Sequence, residues 1–273
     1  MPEGPEIRRA ADKIARKLLD RVIEEASFGL PRLRPFEREL SGQRVTKIDT
    51  RGKAMLIHFE NALSLYSHNQ LYGRWYIRAR DSYPKTNRSL RVALHTAESS
   101  ALLYSASDIE VLDGSGVASH PFLSKLGPDI LDEDVSRSDI LEQLRSPRFR
   151  NRSTGSLYLD QAFVAGIGNY LRSEILYAAR VHPSQKPSQL TAAQQRRLAE
   201  QTLVIGNRAY ETGGITNAPR LVNRLKKQGL KRRRYRHAVF GRAGLPCYRC
   251  SSPIEKTTVA SRRLYVCPAC QGV

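Results

Sequence analysis

No stretch of the 273 residues approaches the roughly 18 consecutive apolar residues that a membrane-crossing helix requires, so a helical membrane span is excluded. The opening residues, Met1-Pro2-Glu3-Gly4-Pro5-Glu6, lack both the basic and the apolar region of a secretory signal. An intracellular, cytoplasmic protein with no membrane partner is expected. Cysteine is absent before Cys247, which excludes a disulfide framework spread along the chain. Acidic residues run out at one end: from Thr212 to Val273 the only one is Glu255. No internal repeat or low-complexity tract is present. At 40% hydrophobic and 26% charged residues the composition also excludes chain-wide disorder, and the length suits one large domain or two to three modest ones.

The acid-poor segment carries fourteen Lys and Arg, and so +13 of the formal net charge of +19. Tyr235, Val239, Phe240 and all four cysteines are interleaved with these charges, which marks folded structure and not a solvated tail. A lopsided cationic surface of this kind calls for a polyanion, and nucleic acid is the expected partner.

The cysteines form Cys247-x2-Cys250, then sixteen residues, then Cys267-x2-Cys270. Two knuckles at this spacing bring four thiolates into a tetrahedron, the arrangement of a structural zinc ribbon, and so small a segment lacks the apolar surface to fold without metal. Disulfides are disfavoured in an intracellular chain, and rubredoxin-like iron is the other metal that fits. Between the knuckles, residues 254–259 and 264–266 read as strands joined by Ala260-Ser261-Arg262-Arg263, an arginine-bearing hairpin tip suited to reaching DNA.

Ile7, Ala11, Ile14 and Leu18 recur at helical spacing, predicting an amphipathic helix over 5–19. Short β-rich runs at 43–50, 54–60, 62–68, 74–79, 90–96 and 101–105 predict a sandwich or barrel. Beyond the glycine- and proline-marked stretch 113–128 the pattern turns helical. It includes 138–145 and 191–211, the latter opened by a Thr191/Gln194 capping box. Within 157–179, Gly166-Ile167-Gly168-Asn169 interrupts one helical stretch and opens another, striped by Leu171, Ile175 and Ala178. A turn leading into a helix N-terminus presents N–H groups to a phosphate, although such a glycine turn is by itself also a plain tight corner, and the plain alternative for Asn169 is a helix N-cap.

Pro2 and Glu3 are the chemically suggestive pair. Loss of Met1 is expected before a small second residue, and it would leave Pro2 as a free secondary amine beside a carboxyl group. With reference pKa values of about 7.8 and 10.4, roughly a quarter of an α-amine but only ~0.1% of a lysine is unprotonated near pH 7.4. Pro2 is therefore an available Schiff-base nucleophile. An iminium formed from a secondary amine keeps its charge and acidifies the neighbouring C–H, which suits elimination at a sugar. The plain alternative makes Pro2 a tolerated second residue and Glu3 a helix-start acid.

MPEGPEIRRAAD, TRGKAMLIHF, LYSHNQLYG, HPFLSKLGPD, SPRFRNR, DQAFVAGIGNYLRSEIL, RRRYRHAVFGRAGLPC and IEKTTVASRRLYVCPAC, in that order from Met1 to Cys270, resemble the formamidopyrimidine-DNA glycosylase/endonuclease VIII family. The resemblance implies an α+β multidomain protein. A catalytic β-sandwich domain with a leading helix would span 1–125, a helix–two-turns–helix DNA-binding domain 126–230 and a zinc finger with one structural zinc 231–273, with DNA in the cleft between. It implies a bifunctional glycosylase and abasic-site lyase of base excision repair, with Pro2 as nucleophile, Glu3 as the acid assisting base departure, Lys53 as proton donor in β-elimination and Arg262 contributing to δ-elimination. Asn169 would grip phosphate, and Gln70-Leu71-Tyr72 would fill the stack vacated by an extruded base. The partner would be double-stranded DNA carrying oxidised bases or abasic sites, bound by a monomer, with DNA holding the bacterial enzyme at the nucleoid. The start of the chain and the contiguous wedge favour oxidised pyrimidines over oxidised purines, and the N-terminal amine argues against a non-catalytic binding module. Two departures stand out. Lys125 occupies an expected arginine position, keeping charge but losing bidentate geometry, and 213–231 does not align with the best-known member.

Overall fold

The computed structural model describes residues 2–272; Met1, whose loss is expected from the sequence, and Val273 lie outside the described residues. The chain divides into two compact units, the first holding Pro2 and Glu6–Lys125, the second Glu3–Pro5 and the chain from Leu126 onward.

In the first unit, helix α1 (Gly4–Leu18) buries Ile7, Ala11, Ile14 and Leu18, the stripe its spacing predicts. They share one apolar cluster with Val45, Met55 and Ile57 from one sheet and Val92, Leu94 and Leu103 from another. The strands are β1 (Glu25–Phe28), β2 (Val45–Arg51), β3 (Ala54–Phe59), β4 (Ser64–His68), β5 (Arg74–Ala79), β6 (Leu90–His95), β7 (Ser99–Tyr104) and β8 (Asp108–Leu112). They form two antiparallel sheets, ordered β1-β6-β7-β5 and β2-β3-β4-β8, so the sandwich reading holds. Strands β1 and β8 were not legible in the sequence. Both are short edge strands, and acids at Glu25, Asp108 and Glu110 weaken their apolar signal as edge strands commonly require. Strands β2 and β3 are joined by the two residues Gly52 and Lys53, with Gly52 at φ 62°. Helix α2 (Phe36–Leu40) lies in the β1–β2 connection, and the 113–128 stretch contains α3 (Gly114–Ser119), N-capped by Asp113.

The second unit contains α4 (Arg137–Arg145), α5 (Thr154–Leu157), α6 (Asn169–Ala179), α7 (Ala192–Glu211), α8 (Pro219–Lys227), α9 (Arg232–Tyr235) and a hairpin of β9 (Glu255–Val259) and β10 (Arg262–Val266). Its core joins Ile140, Leu144, Phe163, Leu171, Ile175 and Leu198 to Leu264 and Val266 of the hairpin. The Thr191/Gln194 capping box forms as read.

Three sequence expectations are corrected. The helical reading of 157–165 fails because α5 ends at Leu157 and turns follow. Asp160 accepts from the Ala162 N–H and Gln161 from the Gly166 N–H, so side chains capture donors that a helix would need. The hairpin turn is tighter than read: Ala260 and Ser261 at φ 51° and 57° make the turn, and Arg262 and Arg263 are the first residues of β10. Gly168, not Asn169, is the N-cap of α6, and Asn169 is its first helical residue.

Candidate nucleic-acid site

Glu3 is almost wholly buried, and its carboxylate sits on the N-terminus of α6. Oε2 accepts from the Gly168 and Leu171 N–H groups at 2.7 and 3.2 Å, and Oε1 from Tyr170 N–H at 2.8 Å. Three helix-start donors and the positive end of the helix dipole thus hold one anion. The approach needs glycine: a Cβ on Gly168 would lie 2.5 Å from the Glu3 Cδ, and one on Gly4 3.0 Å from the Gly166 Cα. Gly4 N–H also donates to Gly166 O at 2.8 Å, which fixes the residues beside Pro2 against the glycine turn. Glu3 is thus not a surface acid. Pro2 is half-buried immediately before it.

One turn along α6, Arg172 is fully buried. Its Nη2 donates to Asn169 Oδ1 at 2.7 Å and to the Arg263 carbonyl at 3.1 Å; its Nη1 donates to the Gly155 carbonyl at 2.7 Å. Burial lowers its pKa to about 10, Glu3 opposes that fall, and the Arg262 cation adds to it. Asn169 is half-exposed, and the side chains of Arg262 and Arg263 are exposed. Glu3, Asn169 and the start of β10 are therefore brought together around α6.

Glu174 forms a second buried hub, accepting from the N–H groups of Ala238, Val239 and Phe240 and from the Thr216 hydroxyl. Neither Arg172 nor Glu174 stood out in the sequence; the available signal was two charges within the otherwise apolar run of α6. His237 lies beside this hub with Nδ1 3.1 Å from Thr216 Oγ1. Burial pushes its pKa down to about 4, aided by the cations Arg236 and Arg232 and opposed by Glu174. Unfolded histidine titrates near 6.5, so the unfolded chain binds the extra proton between those values. The stabilisation is present above about pH 6.5 and is lost as pH falls toward 4. Urea unfolding is expected to show about 2 kcal/mol less stability from this group at pH 5 than at pH 7, and His237→Gln should flatten that slope. An unchanged slope in the variant would remove His237 from the account.

The four cysteine Sγ atoms lie within 4.8 Å of one another. Separations of 3.4 Å (Cys250–Cys267), 3.4 Å (Cys250–Cys270) and 3.9 Å (Cys247–Cys270) bracket the edge of about 3.8 Å that a tetrahedron with Zn–S bonds of about 2.3 Å requires. Arg249 N–H faces Cys247 Sγ and Cys270 N–H faces Cys267 Sγ, as thiolate ligands need. The donor set fits one structural zinc. All four positions are taken by protein, so the metal holds the hairpin in shape and is closed to chemistry.

In the first unit, Lys53 is buried although it sits in a two-residue turn. A lysine there would ordinarily be solvated, so its burial sets it apart from a surface residue. It lies close enough to His68 to help lower that imidazole's pKa, after the larger effect of burial. His68 Nδ1 accepts from Gln70 N–H at 3.1 Å and begins the loop that was read as a wedge. Gly73 N–H donates to Asn69 O at 2.7 Å, the Ser107 hydroxyl donates to Gln70 Oε1 at 2.9 Å, and Arg88 donates to the Tyr72 carbonyl. Gln70 is held at φ 48°, a conformation that costs roughly 1 kcal/mol. This ordered loop presents Leu71 and Tyr72 at 53% and 66% exposure, two of the four exposed large hydrophobics among the described residues. Lys125 is exposed in the short 3-10 turn Leu123–Lys125.

Family models match the chain in three blocks: a formamidopyrimidine-DNA glycosylase N-terminal domain at 1–107, a formamidopyrimidine-DNA glycosylase H2TH domain at 126–219, and a zinc finger found in FPG and IleRS at 244–273. Endonuclease 8 of Escherichia coli K12 is 48% identical over 99% of this chain and 100% of its own, and that of Salmonella arizonae is 47% identical over the same shares. The chain belongs to the formamidopyrimidine-DNA glycosylase/endonuclease VIII family. The fold agrees. The Lactococcus lactis Fpg complexed with DNA containing an oxidised pyrimidine superposes with a TM-score of 0.83 at 23% identity, covering all of both chains. The same protein with abasic-site DNA gives 0.82 at 24% identity, over 99% of this chain and 100% of that one. Within the formamidopyrimidine-DNA glycosylase/endonuclease VIII frame, residues 220–243 fall between the matched blocks. They include most of α8 and all of α9, where much of the chain's positive charge is concentrated.

Proposed function

We propose that the protein, a DNA glycosylase and abasic-site lyase of base excision repair, removes oxidised pyrimidines through a Schiff base on Pro2 and nicks the strand by β,δ-elimination. The observation that carries this reading is the Glu3 carboxylate, immobilised by three N–H donors directly after Pro2. Pro2, freed by loss of Met1, attacks the deoxyribose C1′ as the damaged base departs. The amine proton passes to Glu3, which gives it to the ring oxygen as the sugar opens, leaving the iminium. Loss of a C2′ proton then expels the 3′ phosphate, with Lys53 as proton donor, and a second elimination assisted by Arg262 expels the 5′ phosphate. Asn169, Arg262 and Lys125 grip the backbone, and Gln70, Leu71 and Tyr72 occupy the vacated stack.

The protein works as a cytoplasmic monomer on double-stranded DNA, with catalytic, helical and zinc-finger parts at 1–125, 126–230 and 231–273. Among the described residues no helix is long and apolar enough to cross a membrane. Endonuclease 8 relatives at 48% identity over the full chain support the endonuclease VIII branch of the family. Incubation with thymine-glycol DNA and borohydride, followed by peptide mass analysis, is expected to find one reduced adduct on Pro2. An adduct on Lys53, or binding without any adduct, would overturn the mechanism.

A further inference from the structure

We propose that Arg172 is a positioning residue that joins Asn169 to the zinc hairpin, so that the two halves of the phosphate grip act as one. The inference rests on the reading above, in which Asn169 and Arg262 hold the DNA backbone. The whole guanidinium is buried, and the acceptors it reaches are all neutral. Nη1 donates to the carbonyls of Gly155 and Val259 at 2.7 and 3.3 Å. Nη2 donates to Asn169 Oδ1 at 2.7 Å and to the carbonyls of Arg263 and Arg262 at 3.1 and 3.4 Å. One planar fork thereby spans α5, α6 and both ends of the Ala260-Ser261 turn.

Two consequences follow from donor and acceptor chemistry. Asn169 has one amide oxygen, and Arg172 occupies it, so the amide NH2 is the group left to face solvent. A donor without its acceptor suits a phosphate oxygen and rejects a cation. On the other side, tying the carbonyls of Val259, Arg262 and Arg263 fixes the backbone from which the Arg262 side chain emerges. Lysine cannot substitute, because an ammonium is a point donor without the fork that reaches both elements. The positive charge adds a long-range attraction for phosphate that water screens little, since the group is buried.

The test compares Arg172→Met, Arg172→Lys, Asn169→Ala, Arg262→Ala and the Arg172→Met/Asn169→Ala double variant. Measured quantities are affinity for a duplex with a reduced abasic site, borohydride trapping rate at saturating enzyme, the ratio of δ to β product, and bound zinc. Arg172→Met is expected to weaken affinity by roughly 10- to 100-fold and to shift product from δ toward β, with trapping at saturation nearly unchanged. The double variant should bind little worse than the weaker single one. Arg172→Lys should retain zinc yet show the same product shift, and it carries the comparison if the methionine variant loses its metal. Additive losses with an unchanged product ratio would overturn the coupling, as would an equal fall in trapping and affinity, which marks a merely structural role. If Asn169→Ala and Arg262→Ala both bind normally, the phosphate-grip reading itself fails, whatever Arg172 does.

Discussion

Glu3→Gln is expected to slow excision of an oxidised base by roughly 10²- to 10⁴-fold, while borohydride trapping on DNA that already contains an abasic site persists. On an intact nucleotide the sugar must open as the base leaves, and a proton must reach the ring oxygen; the amide can neither take nor give it. An abasic site has lost its base and exposes an aldehyde in its open form, so Pro2 can attack without that proton transfer. The variant is isosteric, but the three donors from Gly168, Tyr170 and Leu171 face two carboxylate oxygens. An amide offers one oxygen and turns an NH2 toward a remaining N–H. The cost of that mismatch is about 1–3 kcal/mol of stability, which a thermal unfolding scan reads as a fall of several degrees. Equal losses on the two substrates would place Glu3 in scaffolding alone. Full excision by the variant would remove it from the chemistry.

The parts legible in the sequence were those whose signal is local. The stripe of α1 and the capping box of α7 are written in spacings of three and four residues, and both form as read. The four thiolates were legible because metal geometry restricts cysteine spacing more tightly than any fold does. Other features had no local signal. Glu3 finds its partners 165 or more residues away, and nothing near Gly168 names a carboxylate as its neighbour. Lys53 reads as a solvated turn lysine because sequence cannot show that a turn is buried. Arg262 was placed in the hairpin tip because its charge resembles loop composition, whereas left-handed backbone at Ala260 and Ser261 closes the turn before it. The wedge role proposed for Gln70, Leu71 and Tyr72 rests on resemblance alone. What the structure adds is that the loop's backbone is held while its Leu71 and Tyr72 side chains stay exposed.

Removing the metal, by chelation or by Cys250→Ser, is expected to reduce DNA affinity and strand nicking by roughly 10²- to 10⁴-fold, as follows from losing two phosphate contacts of about 1.5–3 kcal/mol each. Apart from the Arg172 fork and the Tyr265 N–H bond to Ser173, the hairpin has little else to hold it. Its own cluster is small, formed by Tyr177, Ala238, Val239, Cys247, Ile254, Tyr265 and Cys267, and two of these seven are cysteines that lose their ligand role. Structural zinc in such modules supplies about 10–16 kcal/mol of apparent binding energy, which is folding energy for the segment it closes. The helical core around Leu171, Ile175 and Leu198 takes only Leu264 and Val266 from the hairpin among its buried residues, so helix content should survive chelation largely intact. The loss should therefore appear in binding before it appears in circular dichroism. It should carry a shallower salt dependence, because the freed Arg262, and the exposed Arg263 beside it that would share the proposed phosphate contacts, would no longer meet the backbone together. Pro2 lies outside the hairpin, so saturating DNA should recover part of the trapped adduct while the δ product stays low. Metal-free protein that binds and nicks at the full rate would show that the hairpin is dispensable, and with it the role assigned to Arg262.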